Sequence, residues 1–197
     1  MAVTNNQRER EANYLQRHSR ALITVHWLMA VLLVFVFGCI ELRELYPKGS
    51  EPRETLKTFH FMAGLTVFLL VWIRLAIRVK TRYPPTLPTI GLWQHRIAMA
   101  IHALMYLLMI AMPIAGWAVL SAEGKVIPFW GIQLPAIVGE NKELAHTIEA
   151  LHETAGLVAY YLIGLHVLAA LSHHYILKNN LLIRMIPMLK KKRTDTL

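Results

Sequence analysis

Residues 151–175 read LHETAGLVAYYLIGLHVLAALSHHY. The run is long and apolar enough to cross a bilayer, whose hydrocarbon core takes about 20 residues of helix. It nevertheless carries His152, His166, His173 and His174. Ionisable side chains inside a span are costly and mark function. At 1.5 Å per residue His166 lies about 21 Å beyond His152, and steps of about 100° bring it back to within roughly 40° of the same direction. One helix thus offers two imidazoles, from nearly one face, at two depths.

Three more runs of the same kind precede it. Counting all four, the spans fall at about 21–40, 59–77, 97–120 and 151–176. The second is interrupted late by Arg74, which can snorkel to the surface. Pro113 and Gly116 lie within the third, where neighbouring membrane helices tolerate them. Pro84, Pro85 and Pro88 mark the connection before it as loop. With 55% hydrophobic and 17% charged residues in 197, the composition describes a membrane protein rather than a large soluble core. The expected fold is all-α: an integral membrane four-helix bundle forming one domain over residues 1–197. Cys39, the single cysteine, can form no intrachain disulfide, and the C-x-x-C-H signal for covalent haem is absent. The polar first twenty residues argue against a cleavable leader.

Charge orients the bundle. The N-terminus, the 78–96 connection with Arg74, and the C-terminal tail hold 15 of the chain's 21 lysines and arginines. By the positive-inside rule both termini are cytoplasmic. KKKR at 190–193 suits anionic lipid, so the net charge of +9 is assigned to the membrane and not to nucleic acid.

That direction sets the depth of every histidine. His26 lies about six residues into span one, near the inner surface, and His60 at the outer end of span two. His60 can therefore meet His152 outside, and His26 can meet His166 inside. Facing helices of a bundle are where metal and cofactor sites are built, and two axial imidazoles suit a non-covalent haem that transfers electrons. Four residues past these histidines stand Ala30, Gly64, Gly156 and Ala170, small enough to admit a porphyrin, whereas Tyr106 follows His102 at that offset. The plainer reading of one such histidine is a hydrogen-bonded structural residue, and of the small residues, helix packing. Four histidines at two matched depths favour ligation. His102 is left between a structural and a substrate-side role. His18, His95, His146 and His174 read as interfacial. His173, seven residues past His166 on its face, is the better candidate for a small-molecule site. The five tryptophans mostly fit an aromatic belt.

The segments VHW at 25–27, ELRELYPKGS at 41–50, FH at 59–60, LHET at 151–154, IGLH at 163–166 and SHHYILKNNLLIRMIP at 172–187 resemble the bacterial cytochrome b561 family of four-helix, two-haem membrane proteins. The likeness runs from about residue 22 to 187 and is nearest to its superoxide-oxidase branch. It implies two haem b groups, ligated by His26 with His166 and by His60 with His152, in the bacterial inner membrane. It also implies superoxide as donor, ubiquinone as acceptor, and His173 as the quinone residue.

Arg43, Lys48, Arg53 and Lys57 could form a patch attracting the superoxide anion, but Glu41, Glu44, Glu51 and Glu54 share their loop, and only the fold can separate the signs. A second reading makes the chain a haem-bearing anchor for a partner dehydrogenase or hydrogenase, docked through the tail or the 121–150 connection. A third, weaker one is a histidine-lined metal transporter.

Overall fold

The computed structural model describes residues 19–81 and 91–186. His18, Pro84, Pro85, Pro88 and the KKKR run lie outside the described residues. Four long helices dominate: α1 (Arg20–Leu42), α2 (Glu51–Lys80), α3 (Leu92–Ala122) and α4 (Lys142–Tyr175), each long and apolar enough to cross a membrane. A hairpin of β1 (Ile127–Phe129) and β2 (Ile132–Leu134) interrupts the α3–α4 connection. Short 3₁₀ turns follow α1 at Arg43–Leu45 and α4 at Ile183–Met185.

The expected spans lie within these helices, but two helices start well before their apolar cores. α2 begins at Glu51 because Glu51 and Glu54 in its first turn suit the helix dipole and a proline near its start fixes φ. α4 begins after Asn141, whose side chain accepts from Leu144 N–H at 3.0 Å. Both therefore project beyond the hydrocarbon at the same end. α3 runs through Pro113 without ending.

α1 packs along α2, α3 along α4, and α2 less closely along α3, while α1 and α4 meet through side chains such as Phe37 and Tyr160, whose ring centres are 5.9 Å apart. A core of Met29, Val36, Ala63, Val67 and Val71 joins the first pair, with Tyr106, Met109 and Ile110 of α3 packed against it. Elsewhere large apolar residues point outward, among them Val34, Trp72, Leu107, Leu157 and Leu168, as befits helices solvated by lipid. Arg74 turns its guanidinium over the Tyr106 ring at 5.6 Å, and Arg78 joins it at 5.9 Å, a cation–π arrangement that lowers the cost of holding charge at this depth.

The two ends differ in sign. All nine described glutamates lie towards the end where α2 and α4 begin, together with six lysines and arginines. The other end carries Arg20, Arg74, Arg78, Lys80, Arg96, Lys178 and Arg184 with no described carboxylate side chain. The bundle thus has an acidic end and a basic end.

Candidate functional site

α4 presents one stripe of half-buried residues, His152, Ala155, Gly156, Ala159, Ile163, His166, Ala170 and His173, while Leu157, Val158, Leu165 and Leu168 face outward. The seven-residue spacing of His152, Ala159, His166 and His173 keeps all four on the bundle side. The histidine stripe is therefore also the packing stripe.

Each end of that stripe meets an imidazole from another helix. His60 of α2 and His152 have ring centres 6.2 Å apart with planes at 72°. His26 of α1 and His166 stand 6.4 Å apart at 76°. A metal–imidazole bond is about 2 Å, and the bonded nitrogen sits about 1 Å from its ring centre. Two rings on opposite sides of one metal are thus about 6 Å apart, centre to centre. Both pairs have that span.

Local bonds orient the rings. His60 Nδ1–H donates to the Val36 carbonyl at 2.9 Å, which leaves the Nε2 lone pair for a metal, the usual arrangement of a ligating histidine. The buried Nδ1 of His152 makes no well-formed hydrogen bond, with the Met112 carbonyl the acceptor in its reach.

A cavity of about 950 Å³ surrounds the acidic-end pair, within the usual size of cofactor sites. Its walls include Gly64, Gly116 and Gly156. A methyl group at Gly64 would meet nothing within 4 Å, one at Gly156 would touch Met112 Cε at 3.7 Å, and one at Gly116 would touch His152 Cε1 at 3.6 Å. Glycine at these places keeps open the space beside the imidazoles. Gly116, legible in the sequence only as a helix irregularity, is the wall facing His152. No three metal-ligating side chains converge among the described residues, so neither pair has the further protein ligands that a bare ion takes. A porphyrin would supply four of them. The residues present fit a haem between each pair.

His102 is closer to this chemistry than its sequence context implied. Its ring centre lies 5.2 Å from that of His166 at 87°. That is shorter than two imidazoles sharing a metal require, and its Nδ1 is committed to the Ala98 carbonyl of its own helix. His26 has the better spacing.

The basic patch does not form. Arg53 is buried, donating to the Arg43 carbonyl at 2.9 Å, the Tyr46 carbonyl at 3.1 Å and the Glu44 carboxylate at 2.9 Å. Lys57 pairs with Glu54 at 2.8 Å and Lys125 with Glu123 at 3.0 Å. The cavity mouth interleaves Arg43, Lys57 and Lys125 with Glu41, Glu54, Glu123, Glu149 and Glu153. The fold leaves the signs mixed.

At the basic end the chain reverses after α4. Lys178 adopts φ 51°, and residues 179–186 fold back with Asn179, Asn180 and Arg184 buried. The Trp27 indole N–H donates to the Met185 carbonyl, tying this strap to α1. His173 lies half-buried above it, its Nδ1 2.6 Å from the Asn179 amide nitrogen. None of the three buried polar residues stood out in the sequence.

The sequence profile of the prokaryotic cytochrome b561 family matches residues 17–188. The chain is similar to probable superoxide oxidase CybB of Yersinia pestis, 36% identical over 90% of this chain and 98% of that protein. It is also similar to cytochrome b561 homolog 1 of Escherichia coli (strain K12), 34% identical over 88% and 98%. Cytochrome b562 of Cereibacter sphaeroides is 28% identical over 86% and 94%.

Proposed function

The chain belongs to the prokaryotic cytochrome b561 family of membrane haem proteins, and from that premise we propose that it is a superoxide:ubiquinone oxidoreductase of the bacterial inner membrane holding two haem b groups. His60 and His152 would hold the iron at the acidic end, and His26 and His166 the iron at the basic end. The observation that carries this reading is the pair of ring spacings, 6.2 and 6.4 Å, repeated at two levels of one bundle. Haem b between two imidazoles supplies an iron that exchanges single electrons.

The protein's own residues do the rest. The Val36 carbonyl fixes the tautomer of His60 and aims Nε2 away from α1. The apolar walls of the cavity, Leu33, Val67, Leu108 and Leu120 among them, exclude water from the space between the helix pairs. Gly64, Gly116 and Gly156 leave room for a flat group.

The 15 of 21 lysines and arginines that the sequence puts on the side of the termini support cytoplasmic termini. The acidic end then faces the periplasm, where superoxide would meet the cavity mouth. The relative named as a probable superoxide oxidase supports that donor. His173, half-buried at the basic end seven residues past His166, is the proposed contact for ubiquinone, a lipophilic acceptor that reaches it from the bilayer.

Stopped-flow spectroscopy on the purified chain alone tests the reading. Superoxide should reduce the haem iron, followed by its absorbance, and a short-chain ubiquinone should reoxidise it. Haems that stay oxidised under superoxide refute the donor. Reduction that needs a co-purifying subunit instead supports the anchor reading.

A further inference from the structure

Asn179 is 2% exposed and hydrogen-bonds at both ends of its side-chain amide. Its oxygen accepts from Leu181 N–H at 3.3 Å. That contact identifies the two amide atoms, because the reversed amide would set its NH₂ group against a backbone N–H, two donors facing each other in a buried place. The NH₂ group is therefore the atom 2.6 Å from His173 Nδ1. An amide NH₂ only donates, so Nδ1 presents its lone pair, and a neutral imidazole of that form carries its proton on Nε2. The backbone fixes the pair in place: Asn179 N–H donates to the His173 carbonyl at 2.9 Å, past the left-handed turn at Lys178.

His60 has the opposite tautomer. Its Nδ1 proton goes to the Val36 carbonyl and Nε2 is left with a lone pair. A protonated Nε2 cannot bind iron, and the Nδ1 lone pair of His173 is already taken up. His173 shares the face of His166, yet both its nitrogens are withdrawn from metal binding. What remains is one N–H, at the end of a span, able to give a hydrogen bond to an oxygen.

We propose that Asn179 is a positioning residue that holds His173 as an Nε2–H donor, and that the donor is received by a carbonyl oxygen of a bound quinone. The ligand half of this rests on the quinone reading above; the tautomer rests on the hydrogen bonds alone. A lipid ester offers the same carbonyl chemistry, and the test separates the two sources.

The two-haem protein, labelled with ¹⁵N-histidine in neutral, phospholipid-free detergent and reduced with dithionite so that its iron is diamagnetic, reports the tautomer. The His173 signals, identified by their loss in His173→Ala, should show Nε2 protonated and Nδ1 bare. Asn179→Asp keeps the side-chain shape and can still accept from Leu181, but it faces Nδ1 with an oxygen and should move the proton there. In the oxidised protein, ubiquinone-1 should bind about tenfold more weakly to Asn179→Asp and to His173→Ala, and no more weakly to the double variant than to His173→Ala, with haem content unchanged throughout. A wild-type His173 protonated at Nδ1 overturns the proposal, and this spectrum decides it even if Asn179→Asp fails to fold. An Asn179→Asp defect that persists in the His173→Ala background overturns the positioning role. If His173→Ala binds ubiquinone-1 as wild type does, the quinone reading of this end falls and the ligand half falls with it. In the oxidised protein, ester phospholipid that binds in a His173-dependent way and is not displaced by ubiquinone-1 does the same.

Discussion

The rings of His60 and His152 stand 6.2 Å apart, centre to centre, across the acidic end of the bundle, one from α2 and one from α4. That is the span of two imidazoles on one iron. His60→Ala or His152→Ala should therefore remove one haem of two and leave the other, as a pyridine haemochrome assay against protein mass would read. Gly64→Leu should do the same with both imidazoles in place, because its side chain would fill space that now meets nothing within 4 Å of the added Cβ. Two haems retained in His152→Ala would remove that residue from the ligand set.

Arg53 is a structural residue and not part of an anion-attracting patch. Its guanidinium joins the 3₁₀ turn after α1 to the first turns of α2 through two carbonyls and Glu44. Arg53→Leu should lower stability by about 1–2 kcal/mol, since it removes the donor that two part-buried turn carbonyls share. Thermal unfolding in detergent should show a clear fall, while Lys48→Leu, an exposed change in the same connection, should show almost none. Equal melting of the two variants would contradict this account.

What could be read from the sequence follows from which signals are local. The stripe on α4 was legible because His152, His166 and His173 share one helix, and helical periodicity places them without knowledge of any neighbour. Their partners were legible because alternating spans put His60 and His26 at known depths. The nearness of His102 to His166 depends on the rotation of α3 in the bundle, which no local pattern sets. The hairpin was invisible for another reason: its strands are three residues each, too short to show alternation, and its turn lacks the usual Asn-Gly. Arg53 looked like a surface charge until the turn carbonyls came within its reach. The strap residues 179–186 entered the sequence reading only through the family resemblance, because the burial of Asn179, Asn180 and Arg184 depends on the chain folding back, which no local pattern sets.

The mixed charges at the acidic end make a kinetic prediction. Nine glutamates oppose six lysines and arginines there, so an approaching anion meets no net attraction. The second-order rate of haem reduction by superoxide should stay flat or rise slightly as salt is added, since screening then removes a weak repulsion. Lys57→Gln should slow it less than twofold, because Lys57 is already paired with Glu54. A rate that falls steeply with ionic strength would show that the ion pairs open and that a guiding patch exists in solution.

The hairpin makes the last prediction. Its turn places Trp130 at φ 43° and Gly131 at φ 92°, both in the left-handed region. For a bulky residue such as tryptophan that conformation costs about 1–2 kcal/mol. Contacts to α2 offset it: the Trp130 indole N–H donates to Thr66 Oγ1 at 2.9 Å, and its backbone N–H reaches Met62 Sδ at 3.4 Å. Thr66 lies about 9 Å along α2 from His60 at 1.5 Å per residue, so the hairpin tip leans down the helix towards the bilayer while Val126 and Pro128 line the cavity. Trp130→Asn should ease the turn but release the tip from α2. Trp130→Phe should remove the hydrogen bond while keeping an aromatic ring. In a double-mutant cycle with Thr66→Val, Trp130→Phe should show coupling of about 1 kcal/mol, the usual net worth of one hydrogen bond. Hydrogen exchange should report the detachment directly, with faster exchange at residues 127–134 in Trp130→Asn and little change in α1. Protection at those residues equal to wild type would mean that the indole anchor does not hold the hairpin.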